Sequence, residues 1–246
     1  MSTLNILHEY PLHGQVALIT GGSRGIGKAI ATKLAHLGAS ISICGRDPQA
    51  LRDTADQLRL VHARLFSQTA DVTNSAEIAA LVHATETHLG PIALLVNNAG
   101  IGNPGFGPMQ DKSEEDWYRV IDTNLKSAFL VSRAVAPLMI QRRRGDIINI
   151  SSLAGKNTFA GGALYCASKW GLQGLTGCMA EDLRQYGVRV SVICPGSVAT
   201  EFSGRGPKDP SRVLTPDDVA HAVAMLATQG PQSFISEVHL RPVAKP

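Results

Sequence analysis

Along residues 15–240, short runs rich in apolar and β-branched side chains alternate with stretches of helical periodicity. That alternation predicts a parallel sheet wound by helices, because each parallel strand needs a long crossover back to the same edge. The runs read as strands are residues 16–20, 40–44, 65–70, 92–96, 146–150, 189–194 and 235–240. Several are apolar at consecutive positions, as strands covered on both faces should be.

The stretches between them place their apolar residues at helical spacing. Ile26, Ala29, Ile30, Leu34 and Leu37 form one stripe. Ser75 opens another helix, with Ile78, Leu81 and Val82 as its inner face. Ser113 followed by Asp116 predicts a capping box and a long helix through Trp117, Ile121, Leu125 and Phe129, which Pro137 is expected to kink or end. Thr215-Pro216-Asp217-Asp218 combines a cap, an N1 proline and an N3 carboxylate. No repeat or linker divides the chain, so one domain is expected over residues 1–246. Residues 1–13 read as an N-terminal extension. Residues 203–214, rich in glycine, proline and charge, read as a mobile substrate lid.

Composition narrows the class. With 246 residues, 44% hydrophobic and 17% charged, the chain can bury a sizeable core. A formal charge of +3 is too small to argue for nucleic acid. The one dense basic run, Arg142-Arg143-Arg144, is most simply a solvated helix end that complements the macrodipole. Cys44, Cys166, Cys178 and Cys194 form no CxxC pair, and the histidines show no HExxH spacing, so no metal site is expected. Residues 1–15 lack a secretory pattern and no apolar run would span a bilayer; a soluble cytoplasmic protein without membrane partners is expected.

Two clusters carry chemistry. The first strand runs through Thr20-Gly21-Gly22-Ser23-Arg24-Gly25-Ile26-Gly27 directly into a helix. Glycines there let backbone approach a pyrophosphate, which would sit against free N–H groups at the positive helix end. In Tyr165-Cys166-Ala167-Ser168-Lys169, the tyrosine and lysine are four apart and share a helix face. A phenol of pKa about 10 is a poor base, and bringing it to about 7 needs roughly 4 kcal/mol of differential stabilisation. A close ammonium favours the phenolate and is expected to supply part of it. Ser152 follows the 146–150 strand and Asn97-Asn98-Ala99-Gly100 ends the 92–96 strand. Both lie at strand carboxyl ends, where parallel sheets place ligands. Ser151 should point the other way.

These residues, together with Asp71-Val72, Asn124 and Pro195-Gly196, resemble the short-chain dehydrogenase/reductase family in its branch of about 250 residues, in order and spacing over nearly the whole chain. The resemblance implies a single-domain α/β Rossmann fold, a seven-stranded parallel sheet with helices on both faces. It implies a catalytic tetrad of Asn124, Ser152, Tyr165 and Lys169. Ser152 would hold the substrate carbonyl, Tyr165 would pass a proton, Lys169 would hold the nicotinamide ribose and depress the phenol pKa, and Asn124 would anchor a relay water. Gly21, Ser23, Arg24, Gly25, Ile26, Gly27, Ala99, Gly100, Tyr165 and Lys169 would contact the coenzyme. Asp71 and Val72 would meet its adenine, Asn98 the adenosine ribose region, and Pro195, Gly196, Val198 and Thr200 its carboxamide. Asn98 could equally brace strand ends, and Asp71 could equally cap the helix behind it.

In the family's register Gly45 occupies the place of the acidic residue that selects NAD, with Arg46 beside it and Arg24 in the loop. NADP(H) is therefore the implied cofactor; Asp47 is the opposing feature. The activity implied is NADPH-dependent reduction of a ketone or aldehyde, with a thioester-linked 3-oxoacyl group among the candidate substrates. The alternatives are an NADP-linked alcohol dehydrogenase working in the oxidative direction and a non-catalytic dinucleotide sensor, which the complete tetrad opposes. Arg143 matches a basic position that docks an acyl carrier; Tyr186 stands at a second such position, with Arg184 nearby. The candidate pocket wall, residues 101–109, 154–164 and 197–214, has few fixed charges and suits an uncharged or apolar carbonyl better than an acid. Relatives pair two long helices, here residues 114–139 and 163–185, which implies a homotetramer. The run from Phe234 to Pro242 departs from the family's usual Asp-Gly-Gly ending, which leaves a dimer as the fallback.

Overall fold

The computed structural model of the protein describes residues 10–61, 64–103, 107–203 and 209–244. Residues 1–9 of the extension, 104–106 of the candidate wall and 204–208 of the expected lid lie outside the described residues. Seven strands form one sheet: β1 (Val16–Thr20), β2 (Ser40–Gly45), β3 (Leu65–Thr69), β4 (Ile92–Asn97), β5 (Gly145–Ile150), β6 (Val188–Pro195) and β7 (Glu237–Leu240). Their order is β3-β2-β1-β4-β5-β6-β7 and every pairing is parallel. The connecting helices are α1 (Gly25–His36), α2 (Pro48–Leu60), α3 (Ser75–Leu89), α4 (Glu114–Ile121), α5 (Ser127–Arg142), α6 (Ala163–Arg184) and α7 (Pro216–Ala227).

Alternate strand residues feed two cores, because successive side chains leave a strand on opposite faces. Ala17, Ile19, Ile41, Ile43, Val96 and Ile148 pack with Ile30 and Leu34 of α1 and Val219, Val223 and Leu226 of α7. Val16, Leu18, Leu95 and Ile147 pack with Ile78 and Leu81 of α3 and Val131, Val135 and Met139 of α5. A sheet covered on both faces is what the continuous apolar runs require. No helix among the described residues is long and apolar enough to cross a membrane.

Several expectations need correction. Of the two outcomes expected at Pro137, the end of the helix does not occur: α5 runs on to Arg142, and Pro137 lies on the exposed face, where water can satisfy the carbonyl one turn earlier. The break comes sooner, as a π-helical turn over Asp122–Lys126 that separates α4 from α5. Ser113 Oγ accepts the Asp116 N–H as expected, and Thr215 with Asp218 forms the full reciprocal capping box. β7 starts two residues late because side chains replace the ladder there. Ile235 N–H donates to Gln229 Oε1 (2.9 Å) and its carbonyl accepts Ser191 Oγ (2.7 Å). Arg142 leaves the basic run to pair with Glu86 (3.1 Å) and the Ile92 carbonyl (3.1 Å), so only part of that run is a solvated end.

A polar chain also crosses the core between α5 and α6. Asn97 Nδ2 donates to Ser132 Oγ (2.9 Å) and Asn149 Oδ1 (2.8 Å), and Asn149 Nδ2 donates to Thr176 Oγ1 (2.8 Å). Asn149 is fully buried, so its truncation strands partners that water cannot reach. Asn149→Ala is expected to lower unfolding stability by about 1–3 kcal/mol in urea titrations without changing the m-value.

Candidate active site

The order of the strands reverses direction between β1 and β4, so the loops leaving these two strands diverge to opposite faces and open a crevice at their carboxyl ends. A cleft of about 1580 Å3 follows that edge. Its volume exceeds the ~300–1,000 Å3 of an ordinary small-molecule pocket and suits an extended ligand with room beside it.

One end is built by the β1–α1 turn. Gly25 has φ +52, a left-handed conformation that favours glycine. A Cβ at Gly27 would strike the Gly21 carbonyl, so the helix can start only against bare backbone. Arg24 occupies the N-cap of α1 without a side-chain cap bond, and no acidic residue stands in the first turn. The helix therefore presents its N–H groups and positive dipole end to the cleft, the environment a pyrophosphate requires. Asn98 holds this turn in place: its Nδ2 donates to the carbonyls of Thr20 (3.0 Å) and Gly21 (3.1 Å). Of the two roles open to it, bracing uses both amide hydrogens.

Arg24 and Arg46 are exposed at this end, with Gly45 closing the β2 strand just before Arg46. Asp47 caps α2, its Oδ1 accepting the N–H groups of Gln49 (3.0 Å) and Ala50 (3.2 Å), which engages one oxygen of the carboxylate that opposed the NADP reading. Asp71 does not cap α3, whose cap is Asn74. Asp71 Oδ1 instead accepts Thr73 N–H (2.8 Å) and Thr73 Oγ1 (2.8 Å). Burial acts to raise its pKa, but these two bonds and the charge of Arg46 hold it below the usual value. Val72, Ala99 and Gly100 line the middle of the cleft.

The other end gathers Ser152, Tyr165 and Lys169. Ser152 begins the turn after β5, with its Oγ 3.5 Å from the Pro195 carbonyl and accepting the Ala154 N–H at 3.1 Å. Ser151 points away, receiving Gln173 Nε2 from α6 at 2.9 Å. Tyr165 and Lys169 lie one turn apart on α6, with Lys169 Nζ 5.8 Å from the phenol ring centre. Lys169 is buried and donates to the Ile150 carbonyl at 3.0 Å. Pro195, Gly196, Val198 and Thr200 continue the floor beyond β6. Asn124 lies behind the cleft on the π-helical turn, 1% exposed. Its Oδ1 accepts Ile101 N–H (2.7 Å), and its Nδ2 donates to the Ile101 carbonyl (3.0 Å) and Ser168 Oγ (3.1 Å).

Burial sets the electrostatics here. It pushes the Tyr165 phenol up to about 12, although a hydrogen bond with Ser152 pulls the other way. Burial also pushes Lys169 down to about 8. The expected lowering of the phenol by Lys169 is therefore not produced by the chain alone, because desolvation of the phenol outweighs its hydrogen bond with Ser152.

Two features escaped the sequence. Cys194, Glu237 and His239 bring three donor atoms within 4.8 Å of one another, an arrangement metal-ligand spacing rules could not reveal. Lys156 Nζ already sits 2.8 Å from the Glu237 carboxylate, so a cation is in place there. Arg241, Pro242 and Val243 add a wall to the cleft that residues 101–109, 154–164 and 197–214 did not include. Their position just past the last parallel strand was the available signal.

The model of the short chain dehydrogenase family matches residues 15–210, and the chain belongs to that family. It is 39% identical over 191 residues to the protein named "Putative ketoacyl reductase" in Streptomyces coelicolor, which covers 77% of this chain and 72% of that protein. Among solved structures, a metagenomic short-chain oxidoreductase in complex with NADP superposes with a TM-score of 0.83 at 46% identity, over 95% of this chain and 99% of that one. The closed form of serine dehydrogenase complexed with NADP+ gives a TM-score of 0.88 at 33% identity, over 94% of this chain and 96% of that one.

The lysine shift has a consequence for stability. Below about pH 8 both folded and unfolded chains hold the Lys169 proton, and the cost of burying the charge is fully present. Between about 8 and the ordinary 10.5 the folded protein releases that proton while the unfolded chain keeps it, so stability rises with pH. Relative to Lys169→Met, the wild type is expected to gain on the order of 2 kcal/mol between about pH 7 and about pH 9.5. Urea unfolding of both proteins at the two pH values reads this; parallel curves would refute it.

Proposed function

We propose that the protein reduces a ketone or aldehyde to the alcohol with NADPH. The observation that carries this is the meeting of the Ser152 hydroxyl, the Tyr165 phenol and the buried Lys169 amine at one end of a cleft whose other end offers a helix N-terminus and two arginines. Bound nicotinamide would supply the hydride. Ser152 would donate to the carbonyl oxygen as negative charge develops on it, and Tyr165 would give that oxygen its proton. Lys169 would hold the coenzyme's ribose hydroxyls, and Asn124 would fix the loop at Ile101 and the α6 turn at Ser168 that carry the site. Gly21, Ser23, Gly25, Ile26 and Gly27 would take the pyrophosphate. Pro195, Gly196, Val198 and Thr200 would take the carboxamide.

In the reductive direction the phenol acts as the proton donor. The oxidative direction has support of its own in the serine dehydrogenase neighbour, and the same residues serve it by microscopic reversal. A 3-oxoacyl thioester is one candidate substrate, in line with the Streptomyces relative's name. Arg143, whose guanidinium donates to the Gln185 carbonyl at 3.1 Å, would then face an acidic carrier. For assembly we propose a homotetramer, with a dimer as fallback: Trp117, Tyr118, Phe129 and Trp170 leave large apolar surface open on α4, α5 and α6. A cytoplasmic location accords with four free cysteines.

A panel of ketones, aldehydes and a 3-oxoacyl thioester, followed by loss of NADPH absorbance, tests the activity. In Tyr165→Phe, coenzyme binding is expected to persist while turnover with the best substrate falls by at least about a hundredfold, the scale of a lost general acid. A near-normal kcat would remove Tyr165 from the chemistry. Coenzyme choice has a separate readout. The 2′-phosphate would lie between Arg24 and Arg46, and each charge-assisted contact is worth about 1.5–3 kcal/mol. The kcat/KM ratio of NADPH to NADH is therefore expected to favour NADPH and to drop about tenfold or more in Arg46→Ala. An unchanged ratio would overturn the role of Arg46.

A further inference from the structure

The reacting end of the cleft has a charge the tetrad does not use. Arg241 follows β7, and two contacts fix where it emerges. Gly196 N–H donates to the Leu240 carbonyl at 2.9 Å. A Cβ on Gly196 would lie 3.2 Å from Pro242 Cδ and 3.3 Å from Leu153 Cδ1. The residues on either side of Arg241 are thus pinned to the floor beside Ser152, whose Oγ faces the Pro195 carbonyl. Arg241 belongs to this end and not to the Arg24 and Arg46 end.

The local charges are unequally shared. Glu237 is shared by two partners, Lys156 and His239, and neither of them leaves it for Arg241. Glu237 Oε1 takes Lys156 Nζ at 2.8 Å and His239 Nε2 at 2.8 Å. Arg241 is exposed on the cleft wall, with no ion pair or hydrogen bond among the described residues. Glu201 lines the same cleft, but among the described residues no ion pair joins it to Arg241. The nearby wall of Leu153, Ala154, Phe159 and Phe202 is apolar. A guanidinium with its fork of donors free, set in such a wall, matches a planar carboxylate in two-point contact.

We infer that Arg241 binds a carboxylate of the substrate, so the carbonyl compound reduced is a short oxo acid. The inference rests on the reductase reading above and names its substrate class. It replaces the uncharged carbonyl expected from residues 101–109, 154–164 and 197–214, which omit Arg241.

The test compares 2-oxobutanoate and 3-oxobutanoate with their methyl esters. For at least one pair, the wild type is expected to favour the acid in kcat/KM. In Arg241→Met the acid-to-ester ratio should fall about ten- to hundredfold, the range of one charge-assisted pair, with partial recovery in Arg241→Lys. Preference for both esters, or a ratio unchanged in Arg241→Met, overturns the assignment while leaving the reductase reading intact. If no carbonyl compound is reduced at all, the reductase reading is what fails. Calorimetric titration of the NADPH-loaded protein with butanoate and butanamide then decides Arg241 by itself. Preference for butanoate that Arg241→Met abolishes upholds the site; equal binding, or none, overturns it.

Discussion

Thr20 and Asn98 sit where the sheet changes direction, and the cleft depends on the hydrogen bonds between them. Helices after β1 and β4 leave for opposite faces, so no crossover ties the two strand ends together. The tie is instead polar and local. Thr20 Oγ1 accepts the backbone N–H groups of Asn98 (3.0 Å) and Ala99 (3.1 Å), while the Asn98 amide returns two bonds to the Thr20 and Gly21 carbonyls. That exchange satisfies backbone groups the crevice would otherwise strand. It also fixes the glycine turn relative to Gly100 and, through Ile101 and Asn124, to the α6 turn that carries Tyr165. A displacement at the switch point would reach both ends of the cleft.

The same burial that makes the site selective sets its protonation. Lys169 is held at the Ile150 carbonyl, within the protein and not in solvent, and its ammonium is correspondingly easier to neutralise. Tyr165, above it on α6, is moved in the opposite sense. Two groups on one helix face thus have their ordinary values drawn toward and away from neutrality by one cause, loss of solvent. A coenzyme that added hydroxyl partners to Lys169 would relieve part of that desolvation, which gives binding and protonation a common origin.

Much of this was legible in the sequence. Strand positions followed from continuous apolar runs, since only strands covered on both faces tolerate them; β1 matched its run at both ends, Val16 and Thr20. The glycine turn could be read because backbone approach demands glycine whatever surrounds it. The π-helical turn over Asp122–Lys126 could not, as its residues suit an α-helix equally well and the wider turn is imposed by the bonds of Asn124 to Ile101. Where the helix ends could not be read from Pro137, because a proline on the exposed face leaves the freed carbonyl to water. Asn97, Asn149 and Thr176 are unremarkable one by one; their network exists only where β4, β5 and α6 meet.

The end of the chain shows how a departure from the family pattern gains meaning from packing. Glu237 and His239 alternate on the exposed side of an edge strand and would read as solvated polar residues. In the fold, Glu237 reaches Lys156 at the end of the turn begun by Ser152, while Cys194 Sγ, just before Pro195, lies 3.5 Å from the same carboxylate. One side chain therefore ties the last strand to the segments that carry Ser152 and Pro195. Its charge is consumed in doing so. The next cation along, Arg241, lies past the end of the strand and on the wall of the cleft. The polarity of the reacting end is thus a consequence of how β7 is anchored, and a neutral residue at position 237 would change it by freeing Lys156 as well.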